Sequence, residues 1–172
     1  RLNFLVDGTG SQVDLSSLEE ARGAGELRFD VSDTANVSLS SLDLLDKGRF
    51  NVTSDAEVDL SSLKTVNRGT FNVTDGGIVR LESAPLNALN NTTFNLASGG
   101  QLLANLADNP EAATYSSAGF TSDVTLISMA GASTVADLSV LSEIDASFNG
   151  NSNTQTHTIT TSNGGVINLS GV

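Results

Sequence analysis

Apolar and polar residues alternate along this chain in a pattern that returns about every 21 to 25 residues. In one copy, RFNVTSDAEVDLSSLKTV, the apolar positions are Phe50, Val52, Val58, Leu60 and Leu63. Phe-x-Val and Val-x-Leu each place every second side chain on one side, which is the period of a β-strand. The polar residues Ser54 and Asp55 separate the two blocks and favour a tight turn. Each copy therefore predicts two short strands joined by a corner.

The aromatic residue that opens each copy recurs with spacings of 25, 21, 21 and 23 residues. Isoleucine takes the same place in the last copy, and we assign Ile127 to it as well. Seven copies then account for nearly the whole chain, and such a period is typical of a solenoid whose coils stack on one another. The predicted core stack is Phe4, Phe29, Phe50, Phe71, Phe94 and Ile159.

Two strands and a shorter third side near 63–66 would close one coil. The pattern therefore predicts an all-β protein, a parallel β-helix (β-solenoid) of about six to seven coils with like residues about 4.8 Å apart. The third side has an alternative interpretation, because Ser41 and Gly48 could cap a helical turn as in a leucine-rich repeat. Two period-2 blocks in each copy and the Gly-Gly corners favour the all-β coil.

The repeat fails at two places inside what we predict to be a single domain over 1–172. Residues 107–120, with Pro110 and Tyr115, break the period, and residues 149–157 form a polar insertion. We interpret both segments as loop excursions from the rod, where a specific function is often located. The first copy also has a corner longer by one residue. Both chain ends lie within a copy, so we expect a fragment of a longer repeat array.

The chain carries 20 acidic and 8 basic residues, for a net charge of -12. Nucleic acid is an unfavourable partner for such a surface, as is an anionic membrane. Membrane insertion is not expected, since no apolar run reaches the roughly 18 residues of a span. The chain has no cysteine, which excludes disulfides and thiolate metal sites. An acidic, cysteine-free chain rich in Asn, Ser, Thr and Gly favours a bacterial extracellular protein.

Three of the copies read FNVTDGGIVRLES, FNLASGGQLLANL and ITTSNGGVINLSGV. They resemble the parallel β-helix repeats of very large bacterial surface and adhesin-like proteins, often described as β-strand-repeat proteins. The resemblance implies a right-handed β-helix at the cell surface that serves as a stalk, spacer, filament-forming or adhesive segment. It also implies that neighbouring repeats, or copies of the chain itself, are partners through the open coil ends.

Outward-facing polar residues form a second regular pattern, with Asn51 and Asn72 beside the Phe positions. A flat ladder of amides and hydroxyls could bind a polysaccharide, so a carbohydrate-binding module is the alternative function. Stacking of these side chains as plain structural support is the interpretation that we favour. The candidate ligand-binding ladder consists of Asp30, Asn51, Thr53, Asn72, Thr74 and Asn95.

Catalysis is the least favoured interpretation, and we predict that the chain is not an enzyme. A polysaccharide lyase would need a free basic group, and the basic residues near the Phe positions are Arg28, Lys47, Arg49 and Arg68. Charges that flank strands for solubility explain them equally well. His157 has no partner at ligand spacing, and we interpret it as solvated.

The acidic residues offer no catalytic pair and no strong metal site. Asp14 and Asp59 hold equivalent outward places, but Arg80 stands at the same place in another copy, so the position is not fixed. Asp55 and Asp75 stand at corners, where we expect turn formers first and calcium ligands second. No cofactor is predicted, with calcium as a weak possibility.

Overall fold

The computed structural model describes residues 1–81, 86–104, 113–146 and 155–172. All regular elements in these ranges are β-strands, and the strands form three parallel sheets. Each sheet joins every third strand along the chain, so that three strands complete one coil and the next coil pairs with the one before it. The predicted all-β solenoid of six to seven coils is therefore confirmed.

Sheet A contains seven strands, each of which carries an aromatic or isoleucine position of the repeat. With strands numbered in chain order, it consists of β1 (Leu2–Val6), β4 (Leu27–Val31), β7 (Gly48–Val52), β10 (Thr70–Val73), β13 (Thr93–Ala97), β16 (Val124–Ala130) and β19 (His157–Ser162). Neighbouring strands of the sheet are adjacent coils.

Sheet B also contains seven strands, one for the Val-x-Leu block of each copy. It consists of β2 (Gln12–Asp14), β5 (Asn36–Ser38), β8 (Glu57–Asp59), β11 (Ile78–Arg80), β14 (Gln101–Leu103), β17 (Val135–Asp137) and β20 (Val166–Asn168).

Sheet C is the third side of the coil and contains six strands. It consists of β3 (Glu20–Ala21), β6 (Leu44–Asp46), β9 (Thr65–Asn67), β12 (Ala88–Asn90), β15 (Ala113–Ser116) and β18 (Leu141–Asp145). The helical alternative for this side is wrong. Ser41 and Gly48 flank a strand, in which Leu45 points inward and Asp46 outward with period 2.

Identical residues lie above one another in the core because the coils pair in register. Phe4, Phe29, Phe50, Phe71, Phe94, Ile127 and Ile159 occupy one register position of sheet A. Successive phenylalanine rings are 4.7 to 5.3 Å apart between centroids and nearly parallel. This spacing is close to the distance between strands, so the rings stack face over face without distorting the ladder. Ile159, in the last coil, is 39% exposed.

The corner between sheets A and B is a four-residue turn. Ala56 N–H donates to the Thr53 carbonyl over 3.1 Å, and the central residues Ser54 and Asp55 have φ angles of 55° and 58°. Positive φ at both central positions is the pattern of a type I′ turn. The first coil spans this corner with residues 7–11, where the next coil uses 32–35, so the predicted longer corner is confirmed.

The corner between sheets B and C is the Leu-Ser-Ser-Leu segment. Leu63 N–H donates to the Leu60 carbonyl over 3.0 Å, and the Asp59 carboxylate accepts from Ser61 N–H over 2.9 Å. The carboxylate caps the turn by satisfying a donor that no strand can use. Asp14 makes the same contact with Ser16 over 2.9 Å. The equivalent outward places of the two aspartates thus reflect the turn.

The predicted excursion over 107–120 is too long. Ala113–Ser116 is strand β15, and Tyr115 is buried in the core beneath the Phe94 ring, with centroids 6.4 Å apart. Its hydroxyl donates to the Thr92 carbonyl, which satisfies the buried polar group. Tyr115 replaces the aliphatic residue that sheet C carries elsewhere, and this substitution concealed the strand. Residues 107–112, like 149–154, lie outside the described residues, while His157 begins β19.

Candidate functional site

The two segments where the repeat fails meet at one corner of the rod. Elsewhere the connection from sheet C to sheet A is one or two residues, such as Lys47 between β6 and β7. After β15 it becomes residues 117–123, which we name the corner loop. This loop lies against residues 155–157, which lead into β19. A corner that need not continue the repeat is free to present side chains of its own.

Four contacts hold the corner loop in place. The Ser117 hydroxyl lies 2.9 Å from Nδ1 of His157, and the Phe120 ring meets the His157 ring at 84° with centroids 5.8 Å apart. The Asp123 carboxylate accepts from Thr156 N–H over 2.7 Å. On the other flank, Gly119 N–H donates to the Asn91 side chain over 2.7 Å. The interpretation of His157 as solvated is therefore wrong, since the half-buried ring fixes the loop.

A groove of about 300 Å³ lies between the corner loop and the two preceding coils. The Phe120 ring borders one side, and the opposite side is formed by the corners before β10 and β13. The lining residues are Arg68, Gly69, Thr70, Asn91, Thr93, Gly119 and Phe120. Arg68 and Asn91 have φ angles of 60° and 50°, so the same left-handed corner positions both side chains at the groove.

The charge in this groove is already balanced. The Arg68 guanidinium donates to the Asp46 carboxylate of the preceding coil through Nη2 at 2.5 Å and Nε at 3.2 Å. The remaining polar groups at the groove are neutral hydroxyls and an amide, with Thr93 and Thr70 3.4 Å apart between hydroxyl oxygens. A ligand would meet an aromatic ring, hydrogen-bonding groups and no unpaired charge.

The predicted ladder lies together on the outer face of sheet A, but its side chains bind one another. Asn51 donates to Asp30 over 2.5 Å, Asn72 to Asn51 over 2.6 Å, and Asn95 to Asn72 over 3.0 Å. Thr74 donates to Thr53 over 3.2 Å. Each amide of the row uses its donor and acceptor along the stack, which stabilises the pairing of coils. This geometry favours structural support over ligand binding.

Asp30 ends this ladder next to Arg28. Burial in the row raises the pKa of Asp30, but hydrogen bonds from Arg28 at 2.9 Å and Asn51 outweigh burial and hold the pKa below its usual 3.8. A carboxylate that accepts from a guanidinium and an amide stays ionised. Asp30 thus contributes to the ladder as an acceptor.

The basic residues that a lyase would require are engaged with oxygen atoms of the protein. Arg28 and Arg49 are register neighbours in sheet A. Arg49 donates to Glu26 over 2.9 Å, and this contact lowers the pKa of Glu26. Lys47 donates to the Ala24 carbonyl over 3.0 Å. The four basic residues lie along one edge as expected, yet each stabilises a neighbouring coil.

The corner aspartates act on the turns and on one another. The Asp75 carboxylate accepts from the Thr53 hydroxyl over 3.2 Å. The Asp7 carboxylate raises the pKa of Asp33 through a shared hydrogen bond and charge repulsion. Within the ranges that the structure describes, no group of three or more acidic or histidine side chains could hold a metal ion. The predicted calcium role thus has no site among these residues.

Sequence reasoning flagged the segments that contain Phe120 and His157 but missed the rest of the groove. Asn91 and Thr93 belong to a regular coil, and nothing in their own copy distinguishes them. The available signal was the interval of 33 residues between Phe94 and Ile127, which exceeds every other spacing in the first part of the stack.

Comparison with known proteins returned no match to this chain among family models, curated proteins or solved structures. The described ranges contain no helix with the length and apolar character needed to cross a bilayer.

Proposed function

We propose that this chain is a structural segment of a bacterial surface protein, acting outside the cell as a stalk or spacer. The observation that supports the proposal most directly is the continuous pairing of coils in three parallel sheets, reinforced by stacked rings and side-chain ladders. Parallel coils bonded to their neighbours make a rod in which load passes through backbone hydrogen bonds. The polar side chains that repeat along it serve this stacking.

Force spectroscopy tests the mechanical role. When the chain is pulled from its two ends, we expect a series of force peaks as coils detach one after another, each releasing the residues of about one coil. A smooth extension at low force would contradict a stalk or spacer. Asn72→Ala, which interrupts the ladder at its centre, should lower the peaks, because two coil contacts lose a hydrogen bond.

Labelling of intact cells tests the location. An antibody raised against this segment should bind cells that produce the parent protein without prior permeabilisation. Labelling that requires permeabilisation would contradict the proposed surface location.

The partners that we propose for the coil ends are further coils of the same repeat, from the parent chain or from another copy. The large hydrophobic residues that are exposed among the described ones all belong to the first and last coils: Leu2, Leu5, Ile159, Val166 and Val172. A coil in the same register would cover most of them and pair the free strand edges. Sedimentation velocity over a concentration series tests the version with two copies, which a monomer at every concentration would contradict.

A further inference from the structure

The groove beside the corner loop departs from the rest of the surface in its chemistry. Among the described residues, Phe120 is the only phenylalanine outside the core stack, and its ring borders a concave site. Aromatic rings at a half-exposed groove are suited to the apolar face of a sugar ring, while hydroxyls and amides suit its hydroxyl groups. We propose that this groove binds a neutral saccharide.

The lining determines the class of ligand. Arg68 is held by Asp46, so the groove offers no free cation to recognise a carboxylate or sulfate. The chain as a whole has a net charge of -12, which repels anionic polysaccharides at long range. Thr70, Thr93 and Asn91 supply the neutral hydrogen-bonding groups that recognise sugar hydroxyls. A neutral oligosaccharide therefore fits better than an acidic one.

The groove is formed before any ligand arrives. The loop is fixed on one side by the contact of Gly119 with Asn91 and on the other by His157, which meets both Ser117 and Phe120. Position 119 admits only glycine, because a Cβ there would overlap the Asn91 side chain. A preformed site avoids the entropy of ordering a loop on binding, which favours even a small sugar contact.

The surface next to the groove extends the site along the strands. Thr70 and Thr93 begin β10 and β13, whose next outward residues are Asn72 and Asn95. These outward positions carry no charge, in contrast to Arg28 and Asp30 on β4 of the same sheet. A saccharide of several units anchored at Phe120 would thus continue over a neutral face. This binding activity is additional to the structural role and does not depend on it.

The test is an NMR and calorimetric titration of the intact chain with three neutral hexasaccharides, cellohexaose, mannohexaose and chitohexaose, and with hexagalacturonate as the anionic comparison. We expect at least one neutral sugar to shift the amide signals of Gly119 and Phe120 and to bind more tightly than hexagalacturonate. Phe120→Ala should weaken that binding by about tenfold or more, the scale of a lost aromatic anchor.

Thr93→Val removes one hydroxyl from the groove with little change in shape and should weaken binding by a few-fold. Thr160→Val, the matched control, alters an exposed threonine of sheet A outside the groove and should bind like the wild type. Thermal melts of all three variants separate loss of binding from loss of fold, and Thr93→Val carries the test if Phe120→Ala is unfolded. Failure of all three neutral sugars to bind, tighter binding of hexagalacturonate, or unchanged affinity in both groove variants would overturn the proposal. None of these results would bear on the force measurements.

Discussion

The coils that carry Phe29, Phe50 and Phe71 differ from the edge around the corner loop in how they use polar side chains. In the regular coils, each outward amide or carboxylate binds the equivalent residue of the next coil, as Asn72 does with Asn51. At the corner loop, Ser117, Phe120 and His157 have no equivalents in other coils and bind one another. Repetition thus satisfies polar groups within the stack, while its interruption leaves groups available at a groove.

The largest effect that we expect comes from opening the core of the regular coils. Phe50→Ala removes a fully buried ring stacked between two others and should cost about 3–5 kcal/mol of unfolding free energy. Phe120→Ala, at the half-buried corner, should cost clearly less. Chemical denaturation of both variants gives the comparison, and equal losses would show that the corner loop is as much a part of the core as the stack.

The close approach of neighbouring coils gives the next effect. In Gly100→Ala, the added Cβ would overlap the Val73 carbonyl of the preceding coil, and we expect a loss of about 1–3 kcal/mol. Gly165 occupies the same place in the last coil, where the nearest atom is the Met129 Cβ at 3.2 Å. Gly165→Ala should therefore be tolerated better. Thermal unfolding of the pair decides, and a larger loss for Gly165→Ala would contradict the role of coil spacing.

One regular corner carries strain that can be relieved. Thr34 has a φ of 61°, which is unfavourable for a β-branched residue. Thr34→Gly should raise the unfolding free energy by about 0.5–1 kcal/mol, the left-handed strain less the backbone entropy of glycine. Ser54→Gly at a similar φ of 55° serves as the control and should gain less, because serine is not β-branched. A destabilised Thr34→Gly in denaturant titrations would mean that its hydroxyl matters more than its backbone.

The smallest effect separates two aspartates of the same coil. The lowered pKa of Asp30 means that its contribution to stability is present above pH 3.8 and is lost as the pH falls through the folded-state pKa. The raised pKa of Asp33 has the opposite sign, since the stabilised form is the protonated one and the contribution is lost as the pH rises. Asp30→Asn should lower and Asp33→Asn should raise the melting temperature at pH 7.

Both differences should vanish toward pH 2.5, where the carboxylates are protonated. Melting curves of the two variants and the wild type between pH 2.5 and 7 provide the measurement. A shift of the same sign for both substitutions at pH 7 would contradict the assignment of partners.

The regular coils could be predicted because their signals are local and repeated. The register of Phe50 over Phe29, and the inward direction of Val52 and Val58, follow from a period of 2 within a copy and about 21 between copies. The third side was harder to recognise, since Leu44-Leu45-Asp46 is short enough to fit a helical turn as well as a strand. Only pairing with neighbouring coils decides that case.

The groove could be predicted only in part. Phe120 and His157 fell in segments flagged by the broken period, but their contact depends on two insertions 40 residues apart in sequence meeting at one corner. Tyr115 was assigned to a loop because a single strand of four residues has too few alternating positions to recognise. The self-pairing of Asn51 and Asn72 needed side-chain geometry, which the sequence pattern does not contain.

The order of strand pairing has a consequence for how the chain acquires its fold. Every strand beyond the first coil pairs with one that precedes it by a single coil, so a segment emerging from a ribosome or a secretion channel can add to coils already formed. Folding can then follow the direction of export without waiting for distant residues. The longest step joins Ile127 to Phe94. Closing an interval of 33 instead of 21 residues costs only about 0.4 kcal/mol more in chain entropy. An insertion of that size at the corner therefore slows the advance of folding very little, which leaves the corner open to change in length and sequence.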